Sequence, residues 1–491
     1  MLKIFFKIIL LIFAAASFLS AQNNYIQVKG DSLVGKTING EMIREVFGNV
    51  VLTQNNVVIT CNQATQFISK NQAELIGNVV IKQDSITITT ARGFYFGDEK
   101  KSVSDTDVKL EDGKVVLTAK RGEYFFDEHR AFFQDSVVLK DSVSTLTADS
   151  LTYFKDENRI VAVSNVNIAD SASIITADSL EHFRKTRITF ADHNVKVVNK
   201  TNNLILFGEH LEDYPEKHYT LVNKKPMLLQ IDTSYVHSAD SLAYNDSQQA
   251  DSTMKIDTLV IRSRIMEAYR DTLNYFKATD SVKIVRGDFA SLNDFTIYYK
   301  KAEKIITYKT SDSTLPTGQA GPPAGEAGAQ PYLWYENSQL TGDSVTISLD
   351  NNKIRFLKVN KNAFIISQNE YNPVRFDQTS GDSVLMTFEN SKLIQTDVWG
   401  NVFSIYYQYD GKEPNGLTKS SSQNAVILFG NPSLRDKNSK VDEIRLYGSP
   451  NSEYYPEKLV KGKEEGFVLA RYVAFKQKPA KEILLEGIKS K

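Results

Sequence analysis

Val50, Val79, Val108, Val137, Val166 and Val195 stand 29 residues apart, with no insertion or deletion between them. Thr60, Thr89, Thr118, Thr147 and Thr176 keep the same interval, as do Phe67, Phe96, Phe125, Phe154 and Phe183. Three columns in one register identify a single supersecondary unit stacked on itself, each copy covering the apolar face of the next. Within each unit the apolar residues alternate: Val50 and Leu52, Val79 and Ile81, Val108 and Leu110, Val137 and Leu139, Val166 and Ile168. Ile59, Ile88, Leu117, Leu146 and Ile175 occupy the matching place just before each Thr. A period of two belongs to a half-buried strand and excludes an amphipathic helix. Turn-forming clusters such as Gln83-Asp84-Ser85, Glu111-Asp112-Gly113 and Asp156-Glu157-Asn158 separate the runs. The spacing thus predicts two strands of roughly a dozen residues per unit, in an antiparallel meander.

Each strand carries a mark near its middle. One strand of the unit has Gly48-Asn49, Gly77-Asn78, Asp135-Ser136 or Ser164-Asn165, and the other has Ala91-Arg92-Gly93, Lys120-Arg121-Gly122, Ala148-Asp149 or Ala177-Asp178. Small and turn-favouring residues inside a strand signal a bend or bulge. A bend in every strand creases the whole sheet into a V-shaped or rolled double layer, with the aliphatic columns inside. Two strands per unit advance about 9–10 Å, which predicts an elongated body with an apolar interior, either filled by its own side chains or open to a guest.

Beyond Lys200 the spacing loosens while the vocabulary persists, as in Ala239-Asp240-Ser241-Leu242, Gly342-Asp343-Ser344-Val345, Gly381-Asp382-Ser383-Val384 and Gly400-Asn401-Val402. The expected organisation is a repeat domain over 22–200, a second β section over 201–310, a Gly/Pro/Ala-rich loop over 311–331 and a third β section over 332–410. An irregular region is expected over 411–491, with disorder in its last dozen residues.

At the start of the chain, Lys3 and Lys7 precede an apolar run from Ile8 to Leu19, and Ala21 offers a small residue before Gln22. That order predicts a secretory signal over 1–21. Twelve apolar residues reach only ~18 Å as a helix, too short for a stable anchor, so the mature chain is expected in the periplasm. With 58 basic and 59 acidic residues and a net charge of −1, the chain has no electrostatic footprint for nucleic acid. Cys61 is the sole cysteine, so an internal disulfide is excluded even in an oxidising compartment.

The ordered series of Gly-Asn-Val-aliphatic and Ala-Asp or Ala-Arg-Gly elements followed by Tyr-Phe resembles the OstA-like family of lipopolysaccharide-transport proteins. It reads best over Glu45 to Val198, at Ile76-Gly77-Asn78-Val79-Val80-Ile81 and Thr89-Thr90-Ala91-Arg92-Gly93-Phe94-Tyr95-Phe96. The resemblance implies an all-β, antiparallel β-jelly-roll or β-taco built from the 29-residue two-strand repeats. It also implies a conduit that shields lipopolysaccharide acyl chains, or those of a similar acylated lipid, on their way to the outer membrane, and so supports outer-membrane assembly. The implied partners are other OstA-like domains or an outer-membrane barrel translocon, joined by strand addition, with end-to-end self-association. A barrel does not fit after Gly411, where too few residues remain for eight strands of ~10 residues with their turns.

Under that reading the lipid-binding lining is Val50, Leu52, Ile59, Val79, Ile81, Ile88, Val108, Leu110, Leu117, Val137, Leu139, Leu146, Val166, Ile168 and Ile175. Apolar columns equally suit a structural or adhesive solenoid with a closed core. The Phe67–Phe183 column, with Tyr95, Tyr124 and Tyr153 beside it, belongs at a rim or at the edge of the core, and Arg92 and Arg121 stand where they could meet lipid phosphates. No nucleophile elbow, phosphate loop or zinc pattern is present, so no catalytic residue, metal site or cofactor is assigned and the chain is read as a non-enzyme. Asp-Ser pairs read as turn formers rather than calcium ligands. Glu209, His210, Glu212 and Asp213 read as a solvated polar loop, and Cys61 as a small buried side chain.

Overall fold

The computed structural model describes residues 25–200, 203–237, 252–308, 330–351, 353–389, 392–430 and 441–486. The expected signal over 1–21 lies outside the described residues, as does the Gly/Pro/Ala-rich loop apart from its last two positions. Strands succeed one another from Gln27–Lys29 to Asn451–Tyr455, with antiparallel pairing throughout the described ladder. The chain divides into two compact units, Met1–Thr189 and Phe190–Lys491.

In the first unit the long strands are Glu41–Gln54, Val57–Phe67, Gln72–Gln83, Ile86–Phe96, Arg130–Lys140, Thr145–Phe154, Arg159–Ala169 and Ser173–Phe183. Between Phe96 and Arg130 the strands are split into halves, Lys101–Ser104 with Val108–Glu111 and Val116–Ala119 with Arg121–Phe125. The crease is built from bulges. Phe47 pairs with Gln63 and Val50 with Cys61, so Gly48 and Asn49 together oppose Asn62. In the same way Gly77 and Asn78 oppose Ala91, Asp135 and Ser136 oppose Asp149, and Ser164 and Asn165 oppose Asp178. Both residues of each pair are left-handed, with φ from 48° to 76°. That conformation is why Gly, Asn, Asp and Ser fill these places. An Asp of the neighbouring segment ties the crease together: Asn49 Nδ2 donates to Asp31 at 2.9 Å, and Asn165 Nδ2 to Asp149 at 2.7 Å.

With two residues set against one, each bulge adds one residue to its strand, and both leaves turn an apolar face inward. On one leaf a single cross-strand row runs Leu52, Ile59, Ile81, Ile88, Leu110, Leu117, Leu139, Leu146, Ile168 and Ile175. On the other, Val46, Ala64 and Leu75, and further along Phe133, Leu151, Ala162 and Leu180, align in the same manner. All of the second leaf's residues just named are buried.

The second unit repeats this construction. Asp280-Ser281, Lys361-Asn362 and Gly400-Asn401 are left-handed pairs opposite Asp294, Asp382 and Gln423. Asn362 Nδ2 donates to Asp343 at 3.1 Å and Asn401 Nδ2 to Asp382 at 3.4 Å. The recurring Gly-Asp and Gly-Asn elements of the sequence are therefore the two halves of one crease contact.

The irregular tail expected from Gly411 is corrected here. Glu413–Phe429 is a long strand paired over its length with Lys392–Asp410, and Val441–Tyr447 and Asn451–Tyr455 pair with it in turn. The alternation was masked because polar residues, Ser420 and Ser422 among them, occupy inward positions. After Tyr455 the chain becomes a strap that turns back across the outer face of one leaf. Val460 and Leu469 pack with Phe364, Ile366, Ile405, Tyr407 and Leu417, and Leu484 packs with Met227, Val260, Val285, Ala290 and Trp334. Disorder expected over the last dozen residues gives way, up to Glu486, to the short helix Lys481–Leu485, held where Arg262 Nε donates to the Leu484 carbonyl at 2.5 Å.

Candidate functional site

The lining predicted in the first unit lies where the alternation places it, and the chain's own atoms cover it. Val50, Leu52, Ile59, Val79, Ile81, Ile88, Val108, Leu110, Leu117, Val137, Leu139, Leu146 and Val166 are buried, while Ile168 and Ile175 are half-buried. What closes this interior is a set of polar clasps that join the two leaves at their free margins, in the repeat's own register. Gln54 donates through Nε2 to the Gly97 carbonyl at 3.0 Å and accepts from the Tyr95 hydroxyl at 2.5 Å. One unit on, Gln83 Nε2 donates to the Phe126 carbonyl at 3.4 Å. The next unit has Asp112 accepting from the Tyr153 hydroxyl at 2.5 Å, and the next has Asp141 facing Arg184 at 4.0 Å. Burial works against the Asp112 charge, but the Tyr153 hydroxyl and the N–H groups of Val115 and Lys114 hold its carboxyl below the usual range.

Tyr95, Tyr124 and Tyr153 are thus interior residues. The phenylalanines face the other way: Phe67, Gln72, Phe96, Lys101, Phe125, Arg130, Phe154, Arg159 and Phe183 form one half-buried outer row. Arg130 lies 4.1 Å from the Phe125 ring centroid and Arg159 3.9 Å from that of Phe154, cation–π contacts repeated by the same period. Arg92 pairs with Glu74 at 2.8 Å and Arg121 with Asp135 at 2.6 Å, so each charge has a protein partner. The Cys61 thiol is buried, and desolvation pushes it up to about 11, which keeps it protonated.

An open interior occurs instead in the second unit, at the end of its ladder, among residues that sequence reasoning did not single out. A cleft of about 570 Å³ lies between the two leaves there. One wall carries the row Leu357, Met386, Thr396, Ile427 and Ile444. Its first three members are buried, Ile427 is half-buried, and Ile444 is 40% exposed. The facing wall carries the row Ile365, Thr379, Ser404, Ser420 and Ser452, and Asp377 and Tyr406 line the cleft beside it. The cleft is therefore oily on one side and hydroxyl-lined on the other. Asp377 Oδ1 accepts from the Tyr407 N–H at 2.8 Å, where the ladder between the two strands ends, and burial pushes its carboxyl up to about 7.

The outer side of the hydroxyl wall is fixed by the strap. Arg375, 1% exposed, reaches Glu457 at 2.7 Å and Glu464 at 3.0 Å, and its guanidinium lies 5.2 Å from the Tyr407 ring centroid. Gln378 donates to the Phe467 carbonyl at 3.0 Å and accepts from the Leu469 N–H at 3.0 Å.

The polar group around His210 belongs to a strand, Leu204–Tyr214, and not to the loop expected. His210 contacts Asp192 at 2.6 Å and Glu212 at 3.1 Å. Desolvation disfavours the imidazolium, but the two carboxylates outweigh it and raise the imidazole above its ordinary value. Asp213 turns to Thr220 and Arg270. Among the described residues no group of three His, Cys, Asp or Glu side chains is arranged to hold a metal ion, and no helix is long and apolar enough to cross a membrane.

Comparison with known families matches residues 24–136 and 126–216 to the family described as OstA-like protein. Together the two matches to that family run from residue 24 to residue 216. That span contains Glu45 to Val198, where the resemblance reads best, and all fifteen predicted lining residues; the weaker likeness read on to about Val402 lies beyond it. No curated protein matches the chain. Among solved structures, the chain is similar to LptH from Pseudomonas aeruginosa, described as the LptA-homologous periplasmic component of a conserved lipopolysaccharide transport device. Identity is 15% over 37% of this chain and 99% of that one, with a TM-score of 0.13, too low to add to the fold described above.

Proposed function

We propose that the protein is a lipid-binding conduit of the periplasm that shields acyl chains of lipopolysaccharide, or of a similar acylated lipid, without making or breaking a bond. The observation that carries this reading is the open cleft between the leaves of the second unit, with Met386, Ile427 and Leu446 on its apolar wall. Its volume falls within the ~300–1,000 Å³ typical of ligand sites. An acyl chain entering it leaves water at a gain of about 25 cal/mol per Å² of apolar area. The OstA-like region supports placement in a lipopolysaccharide-transport setting that serves outer-membrane assembly, with export by the segment at 1–21. Partners by strand addition are other OstA-like domains or an outer-membrane barrel translocon. Exposed Leu33, Val34 and Ile38 on the edge strand Ser32–Ile38 suit such pairing, as they suit end-to-end self-association.

Under this reading the Val50–Ile175 lining becomes accessible only when the clasps open. The second reading, a structural solenoid with a closed core, is favoured by those same clasps and by the burial of thirteen of the fifteen lining residues. Photo-crosslinkers at positions 81, 110 and 139 and at positions 386 and 427 separate the two. Labelled lipopolysaccharide captured from 386 or 427 supports the conduit. Silence at all five positions, in cells where the protein is folded and exported, rejects it.

A further inference from the structure

The cleft in the second unit has a charge character of its own. Glu336, Glu370 and Asp377 line it, and among the described residues no lysine, arginine or histidine does. Arg375, two positions from Asp377, is engaged by Glu457 and Glu464. Thr396 supplies a second, independent observation. It is 1% exposed, lines the cleft, and its hydroxyl has no hydrogen-bond partner. A buried hydroxyl without a partner costs about 1–3 kcal/mol, and here it sits in the middle of an aliphatic row that Val would complete as well. Asp377 stands in the same cleft and accepts one backbone N–H, that of Tyr407, through Oδ1.

From this arrangement we infer that the preferred occupant of the cleft is a cationic amphiphile: an alkyl or acyl chain with an amine head. The chain lies along Met386 and Ile427, and the ammonium is directed to Asp377. The inference rests on the lipid-handling reading above and refines it, because a head carrying only phosphate meets three carboxylates and no cation in this cleft. Raised in a desolvated site, the Asp377 carboxyl regains its charge when an ammonium stands beside it. Thr396 then distinguishes ligands with a polar atom near mid-chain from plain alkyl chains.

The test uses the full mature protein and three probes of equal chain length below their micellar limits: dodecylamine, dodecyl phosphate and dodecanol. Each displaces an apolar dye from the protein at neutral pH. The amine is expected to bind roughly tenfold more tightly than the phosphate, with dodecanol between them. Asp377→Asn should bring amine and phosphate to within about twofold while leaving dodecanol unchanged. Thr396→Val, a nearly isosteric change, should leave all three plain-chain probes unaltered and weaken a 3-hydroxylated amine of the same length. Circular dichroism confirms that each variant is folded. Tighter binding of the phosphate by the wild type, or an amine preference that survives Asp377→Asn, overturns the inference while lipid handling stands. Failure of all three probes to displace the dye overturns the lipid-handling reading with it.

Discussion

The first unit and the end of the second are built from the same creased strands and differ in what lies between the leaves. In the first, both walls are apolar, and the margins are joined by Gln54–Tyr95, Gln83–Phe126 and Asp112–Tyr153 contacts. In the second, an aliphatic wall faces hydroxyls and Asp377, and a cleft remains. Two apolar faces gain by meeting each other, whereas an apolar face gains nothing by collapsing onto a row of Ser and Thr that water can solvate. Openness here follows from mismatched walls, and closure from matched ones.

The largest expected effect breaks the open side. Arg375→Ala leaves Glu457 and Glu464 without their buried partner and frees the strap, and should cost the second unit about 3 kcal/mol. Thermal unfolding followed by site-specific labels should show that loss in the second unit and none in the first. An equal loss in both would mean that the two units do not unfold as separate bodies. Gly77→Val acts on the closed side. At φ +76°, with a Cβ only 2.7 Å from the Asn62 amide, it should cost the first unit about 2 kcal/mol in denaturant midpoint.

The clasps offer a sharper contrast. Tyr153→Phe removes the hydroxyl that donates to the half-buried Asp112 carboxylate and should cost about 1–2 kcal/mol. In combination with Tyr95→Phe it should also let an apolar dye reach the Leu52–Ile175 row. If dye uptake stays at the wild-type level, the first unit is a closed core and not a latched trough.

Asp377 probes the cleft by pH. Its native value, pushed up to about 7, lies above the ordinary 3.8, so between those values the folded state holds a proton that the unfolded state releases. Stability therefore declines as pH rises from about 4 through 7. The groups around the carboxyl are Tyr406, Tyr407 and Tyr409, with Arg375 engaged elsewhere. Asp377→Asn should melt higher than the wild type at about pH 8 and coincide with it near pH 4, an effect on the order of 1 kcal/mol once solvent in the cleft is allowed for. Smallest of all, the His210 contacts with Asp192 and Glu212 stabilise fully below the ordinary 6.5 and are lost as pH rises through the raised native value. His210→Gln should thus cost under about 1 kcal/mol near pH 6 and nothing near pH 9, in paired melts.

Much of this was legible in the chain itself. The 29-residue interval announced two strands per unit, and the Gly-Asn and Asp-Ser marks announced the crease, because left-handed backbone restricts side-chain choice wherever it occurs. The inward positions from Val50 to Ile175 followed from alternation alone. The cleft was hidden, because Thr379, Ser404 and Ser420 read as outward residues when polarity stands in for exposure. The strap was hidden too, since Val460, Leu469 and Leu484 follow no strand period and find their partners on distant strands, from Leu417 back to Met227.

Local sequence determined the strand, the turn and the bulge, since these depend on backbone conformation and on a side-chain period within a dozen residues. Whether two leaves seal or stay apart was decided only in three dimensions. It depends on which distant rows face each other, Leu52 to Ile175 against Val46 and Leu75 in one unit, Met386 and Ile427 against Ser404 and Asp377 in the other. Burial free energy belongs to such facing pairs of surfaces and to neither surface alone.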